Sequence, residues 1–153
     1  MGKYEERAKA LFKEGYNCSQ AVFLAFSERH GLDDRSAALI ASSFGGGMGR
    51  MREVCGAVTG MFMVAGLLFG YDDPKAREPK AAHYALIQEL AGEFRAECGS
   101  IICRELLDGG ADTGSVPTER TAEFYKKRPC VELVGLAARI LEKRLGKDGA
   151  DVS

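Results

Sequence analysis

The residues of this chain best suited to chemistry are its five cysteines. Four of them share one local setting, because each falls in the first turn of a predicted helix: Cys18 after Asn17, Cys55 after a glycine-rich turn, Cys103 three residues past Ser100, and Cys130 after Pro129. Free N–H groups and the dipole at a helix start lower a thiol pKa and favour the thiolate. Cys98 instead falls at the carboxyl end of a predicted helix, just before Gly99, so we expect a bystander or a secondary resolving thiol.

Three kinds of chemistry remain open for these four cysteines. Our first hypothesis is that they converge and bind a metal centre, an iron–sulfur cluster above all, because a metal cation offsets the repulsion between four thiolates. The second is a metal-free protein in which two of them, Cys55 with a neighbour, cycle between dithiol and disulfide. The third is a structural zinc site in a helical interaction module. The gaps between them are long and contain no C-x-x-C pair, so no zinc-ribbon, thioredoxin-like or ferredoxin-type spacing is present.

The glycine-rich turn before Cys55 is a candidate cofactor-binding segment. Its glycines permit positive φ angles and close backbone approach. The turn matches neither of the two nucleotide-binding glycine motifs, so we expect it to place backbone N–H groups beside the Cys55 sulfur instead. An arginine at its end would add positive charge there. The candidate residues are Gly45, Gly46, Gly47, Gly49 and Arg50.

The elements that must position these residues are all predicted to be helices. Residues 3–13 form an amphipathic pattern, and Asn17 with Gln20 resembles a capping box that starts a helix ending near Gly31. Further helices are predicted from Asp33 or Asp34 to 41, from about 55 to 70, from Pro74 or Pro79 to 97, over 101–107 with Ser100 as its cap, around 118–125, and from Pro129 to 146. No segment alternates between apolar and polar residues. The prediction is an all-α, single-domain bundle of about five to seven helices around a central glycine-rich helix, covering residues 1–146, with 147–153 as a flexible tail.

Length and charge limit the possible functions. The 153 residues suffice for one domain with its own core. A net charge of -1 gives no reason to expect nucleic acid as a partner. The N-terminal residues are charged and lack a signal-peptide pattern, so we expect a cytoplasmic protein with reduced thiols. The uncharged 54–71 segment approaches the length of a membrane span, but its glycine and alanine content favours a buried helix over membrane insertion. We expect a redox partner protein, whose identity the sequence does not specify. The sequence is also compatible with a homo-oligomer.

Several stretches carry a resemblance to a known family. They are GYNCSQAV around Cys18, FGGGMGRMREVCGAVTG around Cys55, GSIICRELL around Cys103, and Cys130 near the last helix. The sequence resembles the redox-active protein family named for the cysteine pattern C_GCAxxG_C_C. The resemblance implies that Cys18, Cys55, Cys103 and Cys130 are the family's four cysteines and that Cys98 is outside the set.

The resemblance also implies a redox role, as an oxidoreductase or an electron-transfer accessory protein. A similar module occurs in split-Soret cytochromes, where a cysteine-bound iron–sulfur centre is associated with it. This chain has no C-x-x-C-H sequence, so no covalent haem is expected.

Overall fold

The computed structural model describes residues 2–107 and 113–147. Over these residues the chain is all-helical, as predicted, and contains no named strand. The helices are α1 (Lys3–Lys13), α2 (Cys18–Ala25), α3 (Ser27–His30), α4 (Asp34–Ala41), a short 3₁₀ turn (Ser42–Phe44), α5 (Gly56–Phe69), α6 (Arg77–Cys98), α7 (Cys103–Leu106), α8 (Ala122–Lys127) and α9 (Cys130–Lys147). Lys147 still belongs to α9, and the rest of the predicted tail lies outside the described residues.

Two helix starts, those of α2 and α4, follow from capping residues. The Asn17 side chain accepts a hydrogen bond from the Gln20 N–H at 2.9 Å, and the Gln20 side chain accepts one from the Asn17 N–H at 3.1 Å. This reciprocal pair is the predicted capping box and fixes Cys18 as the first residue of α2. Asp33 likewise caps α4 by accepting from the Ser36 N–H.

The helix count differs from the prediction. The described residues contain nine α-helices rather than five to seven, partly because the predicted 18–30 helix is divided. At Phe26 the backbone leaves the helical region, with φ −103° and ψ 16°, so α2 ends at Ala25 and α3 follows at Ser27. A short helix such as α3 has no amphipathic repeat that a sequence pattern could detect.

Close packing between α2 and α5 depends on two glycines one helical turn apart. A Cβ added at Gly60 would lie 2.8 Å from the Ser19 carbonyl oxygen and 3.0 Å from the Val22 Cβ, and one at Gly56 would lie 3.0 Å from the Cys18 Cβ. The two helices therefore approach at backbone distance, which places Cys18 beside the start of α5. The other main contact joins α1 to α9, and α2 also packs against α1, α4 and α9. The buried core is formed mainly by side chains of α1, α2, α5, α6 and α9.

The segment before Cys103 is extended instead of helical. Ile102 pairs with Val54 in an isolated antiparallel bridge, and α7 begins only at Cys103. The predicted start at 101 and the predicted cap at Ser100 are wrong for this reason: the Ser100 hydroxyl accepts from the Ile102 N–H, and no side chain caps α7. The bridge joins residues almost fifty positions apart, so no local sequence pattern signals it.

No helix in the described part of the chain combines the length and the apolar character needed to cross a membrane. This agrees with the interpretation of the uncharged 54–71 segment as a buried helix. Eight of the fourteen residues of α5 are buried, and they occupy its first three turns.

Candidate thiol site

Four helix ends bring the four predicted cysteines together. The Cys18 side chain is hydrogen-bonded to Cys130 and interacts electrostatically with Cys55 and Cys103. Cys18, Cys103 and Cys130 open α2, α7 and α9, and Cys55 is the N-cap residue of α5. Cys98 behaves differently, since its thiol donates to the Phe94 carbonyl oxygen at 3.1 Å at the end of α6. The grouping of the four and the separation of the fifth agree with the positions inferred from sequence.

Backbone hydrogen bonds hold Cys55 and Cys103 next to each other. The Cys55 N–H donates to the Ile101 carbonyl at 2.8 Å, and the Cys103 N–H donates to the Glu53 carbonyl at 2.6 Å. These bonds flank the Val54–Ile102 bridge. The two thiols, which are 4% and 8% exposed, therefore sit on a paired backbone, and their separation is fixed by main-chain geometry.

The glycine-rich turn is a left-handed segment that closes over Cys103. Residues 46–50 all have positive φ angles, and two of these five residues, Met48 and Arg50, are not glycine. A residue other than glycine in the left-handed region costs roughly 1–2 kcal/mol in conformational energy. Gly47, with φ 70°, has no space for a side chain, because a Cβ there would lie 2.6 Å from the Cys103 Cβ. Strain of this kind persists only where the surrounding structure fixes the conformation, and it is common at functional sites.

A buried arginine lies between the turn and the thiols. Arg52 is 4% exposed, and its guanidinium donates to the Cys103 sulfur at 3.7 Å. It too has a positive φ, of 62°. Its carbonyl accepts from the backbone and the side chain of Arg104, at 3.2 and 2.9 Å. The hydrogen bonds from Arg104 to its main chain thus fix Arg52, and with it a positive charge, next to the cysteines.

Cys18 and Cys130 line a cavity of about 310 Å³ that opens to solvent. Four arginines from different parts of the chain also line it: Arg50, Arg52, Arg120 and Arg128. Among the predicted turn residues, Gly45, Gly46, Gly49 and Arg50 line this cavity, whereas Gly47 packs against Cys103. A larger cavity of about 420 Å³ lies between α6 and α9, and the described residues that line it include no cysteine.

Cys130 is the most acidic thiol of the four. Its pKa is lowered from 9.0 to about 7, first by the hydrogen bond from Cys18 and then by the charges of Arg128, Arg120 and Arg52. The same hydrogen bond is the largest cause that raises the pKa of Cys18 well above its ordinary value. Of the two thiols, Cys130 is therefore the one that ionises near neutral pH, favoured by the hydrogen bond from Cys18 and by the arginine charges.

Burial opposes the thiolate that the helix start predicts at Cys55. Burial raises its pKa from 9.0 to about 12 and outweighs the opposing effect of the Ala57 and Val58 N–H groups at the start of α5. Cys103 follows the same pattern, because burial raises its pKa in spite of the Arg52 guanidinium. The start of a helix does stabilise a thiolate, but at these two buried positions the cost of desolvating the charge is larger.

One known protein family matches the part of the chain that contains these cysteines. The model of a family described as "Putative redox-active protein (C_GCAxxG_C_C)" matches residues 16–144. The chain belongs to this family. The match covers most of the 153 residues and contains all five cysteine positions, so the resemblance inferred from the sequence is confirmed. No curated protein and no solved structure is similar enough to count as a match.

The expected metal centre can be tested against the positions of its proposed ligands in this family member. Within residues 2–107 and 113–147, no three His, Cys, Asp or Glu side chains are arranged to hold a metal ion. The four thiols interact electrostatically, but as placed they do not form a ligand shell. Metal binding by Cys18, Cys55, Cys103 and Cys130 stays a prediction.

Two residues of the site were missed by the sequence reasoning. Arg128 lies two positions before Cys130, and that proximity was an available signal. Arg120 gave no local signal, since it reaches the site through tertiary contacts: it donates to the Phe12 and Tyr16 carbonyls, and its guanidinium stacks 4.0 Å from the Phe12 ring centroid. An arginine held this way is rigid and points its charge at a defined place.

Proposed function

We propose that the protein is a thiol–disulfide redox protein in which Cys130 and Cys18 form the reversible disulfide. The observation that carries this proposal is that the two cysteines line the same solvent-open cavity, where their side chains interact. Both side chains are partly exposed, whereas Cys55 and Cys103 are buried. A redox pair has to contact its own partner thiol and also the oxidant, and Cys18 and Cys130 meet both conditions.

In this function the two cysteines have different roles. Cys130 is the attacking thiolate, because the hydrogen bond from Cys18 and the nearby arginine charges lower its pKa. Cys18 is the resolving thiol, which gives up its proton and attacks the Cys130 sulfur in the mixed disulfide. Formation of the Cys18–Cys130 bond releases two electrons to the oxidant. The buried Cys55 and Cys103 support the pair structurally and take no part in this step.

Mapping the oxidised disulfide tests the proposal. The reduced protein is treated with a mild oxidant, free thiols are blocked, and peptides are analysed by mass spectrometry. We expect the loss of two of the five thiols and a Cys18–Cys130 link. The Cys98→Ser variant should behave like the wild type, whereas Cys130→Ser and Cys18→Ser should form no intramolecular disulfide. A Cys55–Cys103 link, or no loss of thiols, contradicts the proposal.

A metal centre on the same cysteines is the second candidate. The observation that favours it is the convergence of four thiols from four separated helix ends. The arrangement of the side chains speaks against it as they stand, because no three of the described ligands are placed for a metal ion. Iron, sulfide and zinc analysis of anaerobically prepared protein, with a visible spectrum of the same sample, separates the two candidates. Stoichiometric iron and sulfide would favour a cluster, and colourless stoichiometric zinc would favour a structural site.

A further inference from the structure

The cavity beside the cysteine pair carries an unusual concentration of positive charge. Four arginines line it, and none of the described residues that line it is acidic. The chain as a whole is almost neutral, at -1, so this charge is local. Guanidinium groups bind carboxylates and phosphates through paired hydrogen bonds. A positive cavity also raises the local concentration of anions.

The contacts of these arginines show how they are held. Arg120 donates to the backbone carbonyls of Phe12 and Tyr16, which carry no formal charge. Arg50 donates to the Gly114 carbonyl and to the Thr118 hydroxyl, at 3.0 Å for the latter. The Phe12 and Tyr16 carbonyls thus orient the Arg120 guanidinium without neutralising its charge. Arg128 stacks on the Phe124 ring at 5.0 Å. It also borders a neighbouring depression lined by Glu119 and Glu123.

We propose that this cavity selects a small disulfide that carries carboxylate groups, and that Cys130 and Cys18 reduce it. The inference rests on the proposed thiol–disulfide function and adds the substrate class. The cavity is near the lower end of the size range of small-molecule sites, which suits a compact molecule better than a protein segment. The arginines bind the carboxylates, and the disulfide bond then lies against the thiol pair in the wall.

The reaction balances as an exchange of two disulfides. The Cys130 thiolate attacks one sulfur of the substrate, forms a mixed disulfide and releases one substrate thiolate. Cys18 loses its proton and attacks the Cys130 sulfur, so that the Cys18–Cys130 bond forms and the second substrate thiolate leaves. The proton passes to a released thiolate or to solvent. The protein pair is oxidised by two electrons, and the substrate disulfide is reduced by the same two.

A series of probes that differ only in charge tests the substrate class. Dithiodipropionate, hydroxyethyl disulfide and cystamine share one carbon–sulfur chain and end in carboxylate, hydroxyl and ammonium groups. The rate of thiol loss is measured at constant pH, and each rate is divided by that of free mercaptoethanol with the same probe. We expect the normalised rate for the carboxylate probe to exceed that for the neutral probe about tenfold or more, with cystamine slowest. Added salt should reduce the difference.

Arginine variants connect the preference to the cavity. Arg128→Gln and Arg50→Gln should bring the three normalised rates closer together, whereas Arg128→Lys and Arg50→Lys should keep much of the preference. Arg95→Gln is the matched control, because Arg95 is exposed on α6 and does not line this cavity. Circular dichroism confirms that each variant folds, and the use of two arginine positions keeps the test decisive if one variant does not.

The outcomes separate this inference from the proposed function. Equal normalised rates for the three probes in the wild type, with a Cys18–Cys130 disulfide formed in each case, overturn the anionic substrate class and leave the thiol–disulfide function standing. A preference that survives in both glutamine variants overturns the role of the arginines. If no probe and no general oxidant produces the Cys18–Cys130 disulfide, both proposals fall.

Discussion

The two cysteine pairs of this protein share one site but differ in almost every physical property. Cys55 and Cys103 are buried and lie on a backbone bridge, and burial raises the pKa of both thiols. Cys18 and Cys130 are partly exposed on a cavity wall, and the pKa of Cys130 is lowered by the hydrogen bond from Cys18 and by three arginines. All four lie at helix starts, so that position alone does not determine the state of a thiol.

The difference shows that the balance between desolvation and nearby charge decides which thiol ionises. At Cys55 the N–H groups at the start of α5 act on the sulfur, yet burial prevails. At Cys130 burial also acts, but the hydrogen bond from Cys18 and the arginine charges outweigh it. We therefore assign structural support to the Cys55–Cys103 pair and reactivity to the Cys18–Cys130 pair.

The largest expected effect comes from breaking the support around the buried pair with Gly47→Ala. The new methyl group would overlap the Cys103 Cβ and the backbone of Arg52 and Glu53, at a residue with φ 70°. Overpacking costs about 1–3 kcal/mol and the left-handed conformation about 1–2 kcal/mol, so the free energy of unfolding should fall by about 2–5 kcal/mol. Equilibrium unfolding in urea measures this change.

Gly49→Ala is the matched control for this substitution. Gly49 also has a positive φ, of 57°, but a Cβ there would meet only the Ser43 carbonyl oxygen, at 3.8 Å. In this variant the free energy of unfolding should fall only by the cost of the left-handed conformation, about 1–2 kcal/mol. Equal destabilisation by the two substitutions would mean that the close approach of the turn to Cys103 contributes nothing to stability.

A difference in alkylation rate sharpens the comparison between the pairs. At pH 7 the lowered pKa leaves a large share of Cys130 ionised, whereas the raised pKa leaves very little of Cys55 ionised. The lower nucleophilicity of an acidic thiolate offsets part of this, so Cys130 should react with iodoacetamide at least about 100-fold faster than Cys55. Brief labelling of the native protein followed by peptide mass spectrometry measures both rates.

Cys98 separates the effect of ionisation from that of access in the same experiment. Like Cys130 it is partly exposed, but burial raises its pKa. Cys98 should therefore react more slowly than Cys130. If the two thiols react at the same rate, access rather than ionisation governs reactivity, and the special role of Cys130 is lost.

Sequence patterns predicted the local parts of this structure well. The amphipathic 3–13 repeat gave α1 with its observed bounds, and the Asn17 capping box placed Cys18 at the start of α2. Both features are determined by residues within one or two helical turns, which is the range over which such patterns act. The all-α class followed from the absence of alternation.

The parts that were missed depend on contacts between distant segments. The bridge between Val54 and Ile102 fixes the Cys55–Cys103 pair, and no local propensity encodes it. The burial that opposes a thiolate at Cys55 is a property of the assembled core, so the local sequence does not show it. Arg120 reaches the cavity by contacts with α1, more than one hundred residues earlier in the chain. The sequence thus predicted which cysteines converge but not which of them is charged.

The smallest predicted effect is a pH dependence of stability with opposite signs for Cys130 and Cys55. The pKa of Cys130 is lowered on folding, from 9.0 to about 7. The stabilisation that its ionisation adds to the free energy of unfolding should therefore grow as pH rises from about 7 to 9 and be lost as pH falls through 7. The pKa of Cys55 is raised to about 12. Its contribution to the free energy of unfolding is therefore complete below about pH 9 and is lost as pH rises further. Stability should therefore peak near pH 9, after a rise of about 1–2 kcal/mol once solvent screening at the partly exposed Cys130 is allowed for.

Urea unfolding of the wild type and of Cys130→Ser from pH 6 to 10 measures this pH dependence. In the variant, the rise in stability between pH 7 and 9 should disappear, while the fall at high pH remains. A rise of the same size in both proteins would show that a group other than Cys130 causes it.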